Sequence, residues 1–236
     1  MLINRMTGEP LSEKKLRAAR RIYLGLAALF IAALITCNII ANKFIAIDLG
    51  FKVFSISVGI LPYPITFLIT DILSEFYGRK RTNDVVWSGF LVSGFVLFLL
   101  WLGHVFPAIP DSPVQDEAYN NVFQNSWRII SASMLAYLTA QLVDVRVFHF
   151  WKRVTKGKML WLRNNFSTTF SQLIDTTLVV TVIFIGTKTF TEISTLVFDG
   201  WLFKVLCAAF DTLIIYPVAW GFRRFFNLKH GEELSI

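Results

Sequence analysis

Asp71, Glu75 and Arg79 stand four residues apart within PYPITFLITDILSEFYGRKR, Pro62 to Arg81. On an α-helix that spacing puts all three charges along one side. Carboxylates accept hydrogen bonds and counter-charges, so the stripe suits either an ion-pair network or the recognition of an N–H-rich ligand. Two more carboxylates each follow a glutamine by three residues: Gln141 and Asp144 in AQLVD, Gln172 and Asp175 in SQLID. Asn38 and Asn42 share a face of an apolar stretch near the N-terminus, and Asp211 lies inside another such stretch. Carboxylates, amides and abundant aromatics are what a flat, hydrogen-bonding heterocycle requires. Acceptors meet its N–H edge, amides orient it, and a ring such as Phe67 or Phe170 stacks on it.

The elements that must position these groups are apolar. The chain has 236 residues, of which 55% are hydrophobic and 17% charged, the profile of a membrane protein. Six stretches, 22–42, 54–77, 84–103, 129–150, 166–187 and 201–222, are long enough to cross a hydrocarbon core of about 30 Å. The expected fold is an all-α integral membrane protein of six transmembrane helices. Residues 1–21 form a cytoplasmic N-terminal segment, 22–222 the six-helix domain and 223–236 a cytoplasmic tail. Lys and Arg cluster in the N-terminal segment, around 79–81, in 146–163 and in the tail. The other side holds Lys43, Lys52, Arg128, Lys188 and Lys204 with the acidic loop PAIPDSPVQDEAYNN. That asymmetry predicts both termini in the cytoplasm. It also explains the net charge of +7 without a nucleic-acid partner. Pro62 and Pro64 fall within the second stretch, so the second helix is expected to break there.

An ionisable side chain near the bilayer centre costs roughly 2.5–3.5 kcal/mol, so each one needs a partner or a cavity. By sequence, Asp175 and Asp211 sit close to mid-span with no Lys or Arg at the same depth. Asp71, Glu75 and Asp175 are the expected acceptors, with Gln172, Asn38 and Asn42 orienting the ligand. Arg79 is expected to hold Glu75 in place, and it also has the reach to pair with Asp144. Gln141, Asp144 and Asp211 are read as structural or coupling residues. Cys37 and Cys207 lie singly in apolar stretches and the three histidines are scattered, so neither a metal nor another cofactor is expected. The chain carries no GxxxxGK[ST] phosphate loop and no HExxH motif, and an enzyme is not expected.

PYPITFLITDILSEFYGRKR, together with CNIIANKF in the first span and FSTTFSQLIDT in the fifth, resembles the queuosine precursor transporter family, also called the VUT family. The resemblance implies a bacterial inner-membrane importer of 7-cyano-7-deazaguanine or 7-aminomethyl-7-deazaguanine, supporting queuosine modification of tRNA. Its partners would then be the 7-deazaguanine base and the lipid bilayer, with homo-oligomerisation undecided. The alternative is the substrate-binding component of an energy-coupling-factor vitamin or nucleobase transporter. Those components also have about six spans and dock through small residues, and Ala28 and Ala32 have that spacing.

Overall fold

The structure, a computed structural model, describes residues 12–41, 43–48, 50, 53–123 and 127–234. Among them are seven α-helices and one β-hairpin: α1 Glu13–Ile39, β1 Phe44–Asp48, β2 Val53–Ser57, α2 Tyr63–Phe76, α3 Gly78–Val105, α4 Asp116–Phe123, α5 Trp127–Val154, α6 Leu160–Phe184 and α7 Phe190–Phe226. Among the described residues, four helical segments are long and apolar enough to cross a membrane: α1, α2 with the 3-10 turn before it, α3 and α7. In α5 and α6, buried Gln, Asp, Arg, Asn, Ser and Thr residues interrupt the apolar pattern. At 1.5 Å per residue, α7 with its 37 residues runs about 55 Å, well beyond a hydrocarbon core of about 30 Å.

Helix α2 is the central element. Its apolar window is 56% buried, against 17%, 22% and 28% for α1, α3 and α7, so it is the helix the others wrap. It packs against α1, α3, α5 and α7, while α5 and α6 form the most extensive helix pair. Leu73 and Phe76 of α2 are enclosed, with Phe30 and Leu34 of α1, Val86 of α3 and Ile215 of α7 in the same apolar interior, and Phe67 is fully buried as well. Lipid tails are as apolar as these side chains, so close packing and interhelical hydrogen bonds hold such a bundle.

The expected second span, 54–77, is not one broken helix. Residues 53–57 pair antiparallel with 44–48 in register Ile45 to Ile56 and Ile47 to Phe54. The alternation in VFSIS accounts for this: Phe54 and Ile56 are buried while Val53 is 58% exposed, a period of two. The hairpin lies on α7, where Phe54 and Phe203 rings pack at 5.5 Å. Pro62 and Pro64 flank the helix start at Tyr63, where missing N–H groups cost nothing, so they begin α2 without interrupting it.

The N-terminal half of α1 and the C-terminal tail meet the α2–α3 turn, and the tail also meets the α5–α6 loop at Gly157, at what is here termed the basic end. Tyr77 donates to the Ala19 carbonyl at 2.9 Å, Tyr23 to the Arg81 carbonyl at 3.2 Å, and Leu234 N to the Phe76 carbonyl at 2.6 Å. Gly78 turns the chain from α2 into α3 at φ +79°, and the Glu233 carboxylate occupies the space a Cβ would fill. The hairpin marks the opposite end.

Candidate functional site

Polar side chains enter the bundle in three layers along α2. Nearest the hairpin, Tyr63 starts α2 and donates its hydroxyl to Asp175 Oδ1 on α6 at 3.1 Å. Lys204 of α7 binds Asp175 Oδ2 at 2.6 Å, with its ammonium 4.8 Å from the Tyr63 ring centroid. Lys204 and Asp175 are both buried, so this pair is desolvated and each partner needs the other. The sequence placed Lys204 beyond the membrane core and left Asp175 without a cation. The structure corrects this, because α7 begins at Phe190, eleven residues before the expected span, and carries Lys204 inside the bundle.

About 12 Å along α2, eight residues on, lies the middle layer. Thr70 donates to Gln141 Oε1 of α5 at 3.2 Å, and Gln141 Nε2 reaches Thr66 at 3.5 Å, which ties α2 to α5. Next to these, Asp71 of α2 and Asp144 of α5 meet in hydrogen-bond contact. Ser171 of α6 donates to Asp144 Oδ1 at 3.0 Å. Asp71 Oδ1 and Asp144 Oδ2 are buried and accept no hydrogen bond, and Gln172 Oε1 and Asn164 Oδ1 on α6 are in the same state. The two QxxD segments thus lie side by side on antiparallel helices, with Ser171 of SQLID against Asp144 of AQLVD.

One turn further, the third layer centres on Glu75. Arg163 of α6 binds its Oε2 at 2.5 Å, Arg223 of α7 its Oε1 at 2.6 Å, and Lys152 of α5 lies 3.8 Å from Oε2. Lys152 also donates to the Ser74 and Glu75 carbonyls at 3.1 and 2.7 Å and pairs with Glu233 at 2.9 Å. Glu75 therefore joins α2, α5, α6 and α7. The expected Glu75–Arg79 pair is replaced by these contacts. Gly78 ends the helical continuity between positions 75 and 79, and Arg79 lies exposed at the start of α3. Asp144 likewise meets Asp71 and Ser171 in place of Arg79.

The other expected site residues are dispersed. Phe67 is fully buried and packs on Tyr63 with ring centroids at 5.6 Å. Phe170 is 47% exposed on α6. Asn38 donates to the Leu34 carbonyl of its own helix at 3.2 Å. Asn42 lies outside the described residues. Asp211 is half-buried on α7 and acts electrostatically on Asp71. Sequence reasoning passed over Lys152, Arg163, Lys204 and Tyr63. The apolar LWL before Arg163 was the available sign that α6 starts at Leu160, ahead of the expected 166.

Residues 57–218 match the protein family described as "Putative vitamin uptake transporter". The chain is 33% identical over 132 residues to the "Probable queuosine precursor transporter" of Bacillus subtilis (strain 168), covering 55% of this chain and 57% of that protein. It is 26% identical over 142 residues to the "Queuosine precursor transporter" of Escherichia coli (strain K12), covering 58% of each. The chain thus matches less than two thirds of the length of either relative. No solved structure matches it. The family match takes in all three polar layers except Arg223 and the tail, and on that match the chain belongs to the vitamin uptake transporter family.

Proposed function

We propose that the protein is an importer of queuosine precursors, 7-cyano-7-deazaguanine or 7-aminomethyl-7-deazaguanine, across the bacterial inner membrane, supplying tRNA queuosine modification. The observation that carries this reading is the middle layer: buried Asp71 and Asp144 with unpartnered oxygens, while Gln172 and Asn164 of α6 are also buried and keep unpartnered amide oxygens. A 7-deazaguanine offers N1–H and 2-amino donors, and those oxygens are acceptors at the depth where a transporter holds its cargo. The names of the two relatives point to the same cargo class. Asp71 and Asp144 are the direct acceptors in this reading, and Phe67 walls the layer on the hairpin side. Glu75 and Asp175, whose oxygens already have cations or donors, hold the helices above and below.

The basic end faces the cytoplasm in this proposal, which places both chain ends and six membrane crossings as the charge asymmetry suggests. Residues 22–222 then form the transport domain, and the tail folds back over its cytoplasmic mouth. The test is uptake of labelled precursor by cells unable to make queuosine precursors, with the chain as their sole importer. Saturable accumulation of unmodified base supports the reading, and absence of uptake for both precursors refutes it. Uptake that requires a co-expressed partner ATPase favours the energy-coupling-factor alternative instead.

A further inference from the structure

Among the described residues, four acidic side chains are buried in the bundle: Asp71, Glu75, Asp144 and Asp175. Two of them carry their own cations. Asp175 has Lys204, and Glu75 has Arg163, Arg223 and Lys152. Asp71 and Asp144 have none of their own, at 1% and 0% exposure, and each keeps one oxygen that accepts no hydrogen bond. Their facing helices hold them in contact with each other, and α6 offers hydroxyls there, from Ser167, Thr168 and Ser171.

The charged groups acting on this pair come from every side. Asp211 faces it from α7 and Arg163 from α6, while Glu75 is one turn along α2 and Lys152 two turns along α5. No charged group of α1 or α3 is among the main influences on either carboxyl. Around Glu75, two carboxylates (Glu75 and Glu233) meet three cations (Lys152, Arg163 and Arg223). The single positive charge left over can compensate one member of the Asp71–Asp144 pair and not both, and Asp211 adds a further negative charge. Two carboxylates in direct contact away from water do not both stay ionised, and a shared proton removes one of the two charges.

We propose that the Asp71–Asp144 pair is a proton site whose proton travels inward with the base, so that the protein is a proton–base symporter. This rests on the transport reading above. A guanine-type edge presents two donors, N1–H and the 2-amino group, beside one acceptor, O6. A singly protonated carboxyl pair is complementary: the ionised member accepts the two N–H groups, and the protonated member donates its O–H to O6. A doubly ionised pair sets negative charge against O6, and a doubly protonated pair lacks the anionic acceptor. Proton loading therefore precedes base binding. The proton enters from the hairpin end, stays with the pair while the base is held, and leaves at the basic end after the base. No covalent bond is made or broken apart from the O–H bond that carries the proton.

The experiment is reconstitution of the purified full chain in liposomes with labelled 7-cyano-7-deazaguanine and an internal pH-sensitive dye. The wild type is expected to take up protons when base is added outside. An inward gradient of one pH unit should raise accumulated base about tenfold, the mass-action limit for one proton per base, and a protonophore should abolish that rise. Asp144→Asn, checked for wild-type elution and helix content, should lose base-evoked proton entry, and Asp144→Glu should recover it. Base movement in the wild type without proton movement overturns the proposal, as does accumulation driven by a sodium gradient alone. Liposomes in which the folded wild type moves no base refute the transport reading itself, and the symport with it.

Discussion

Substituting Lys204 by methionine isolates the energetics of the hairpin-side layer. Lys204 and Asp175 are 2.6 Å apart, 9% and 5% exposed at their side chains, and Tyr63 supplies the carboxylate with one further donor at 3.1 Å. Methionine nearly preserves the volume but removes the charge, so Asp175 keeps a buried carboxylate with a single hydrogen bond. Removing one partner of a buried pair costs about 3–5 kcal/mol, because the remaining charge is left uncompensated. For a chain of this size each kcal/mol lowers the melting temperature by about 2–4 °C, so Lys204→Met is expected to fall by roughly 6–20 °C in detergent. The double variant Lys204→Met with Asp175→Asn removes both charges, and most of the loss should return. Neutral replacement of a whole buried pair is commonly near neutral in stability. A Lys204→Met protein as stable as wild type, or a double variant no better than the single one, would refute the ion-pair account of Asp175.

Three other perturbations follow from the same geometry. Glu75→Gln strands Arg163 in the interior and takes the carboxylate from Arg223, and it should cost about 3–5 kcal/mol by thermal unfolding, whereas Arg79→Ala, on the exposed start of α3, should leave the melting temperature unchanged. Equal effects would restore the local pair that the sequence suggested. Phe203→Ala empties the seat of the hairpin and should cost about 3–5 kcal/mol, with a coupling to Phe54→Ala of about 0.5–1.5 kcal/mol in a double-mutant cycle; strict additivity would show that the hairpin does not dock there. Gly78→Ala forces a left-handed turn and a collision with Glu233, so it should destabilise by about 1 kcal/mol or more, and proteolysis should then release the tail sooner.

The apolar stretches were legible because helix-length hydrophobicity is a property of consecutive residues. Each expected span overlaps one of the described helices α1, α2, α3, α5, α6 and α7, although boundaries moved: α7 starts eleven residues before the expected 201, and α6 six before 166. Charge at those positions concealed the shift, since Arg163 and Lys204 read as residues outside the membrane core until their partners are known. The partners could not be known from spacing. A helix pattern exposes pairs three or four residues apart, such as Glu75 and Arg79, whereas Glu75 binds Arg163 and Arg223, 88 and 148 residues away. The hairpin was missed for a different reason. VFSIS is apolar enough to extend a helical window, and its period of two emerges only when inward and outward faces are separated. Asp71 and Asp144 were both singled out from the sequence, but their contact required the packing of α2 on α5.

As the proposed importer, the protein must hold a 7-deazaguanine base at the middle layer. Its most direct test is equilibrium binding of 7-cyano-7-deazaguanine to purified protein in detergent, wild type against Asp71→Asn, with both shown to be folded. Saturable binding by the wild type that is lost in the variant is the predicted result. No binding by folded wild type, or equal binding by the two proteins, would contradict the assignment of Asp71 as the acceptor of the base.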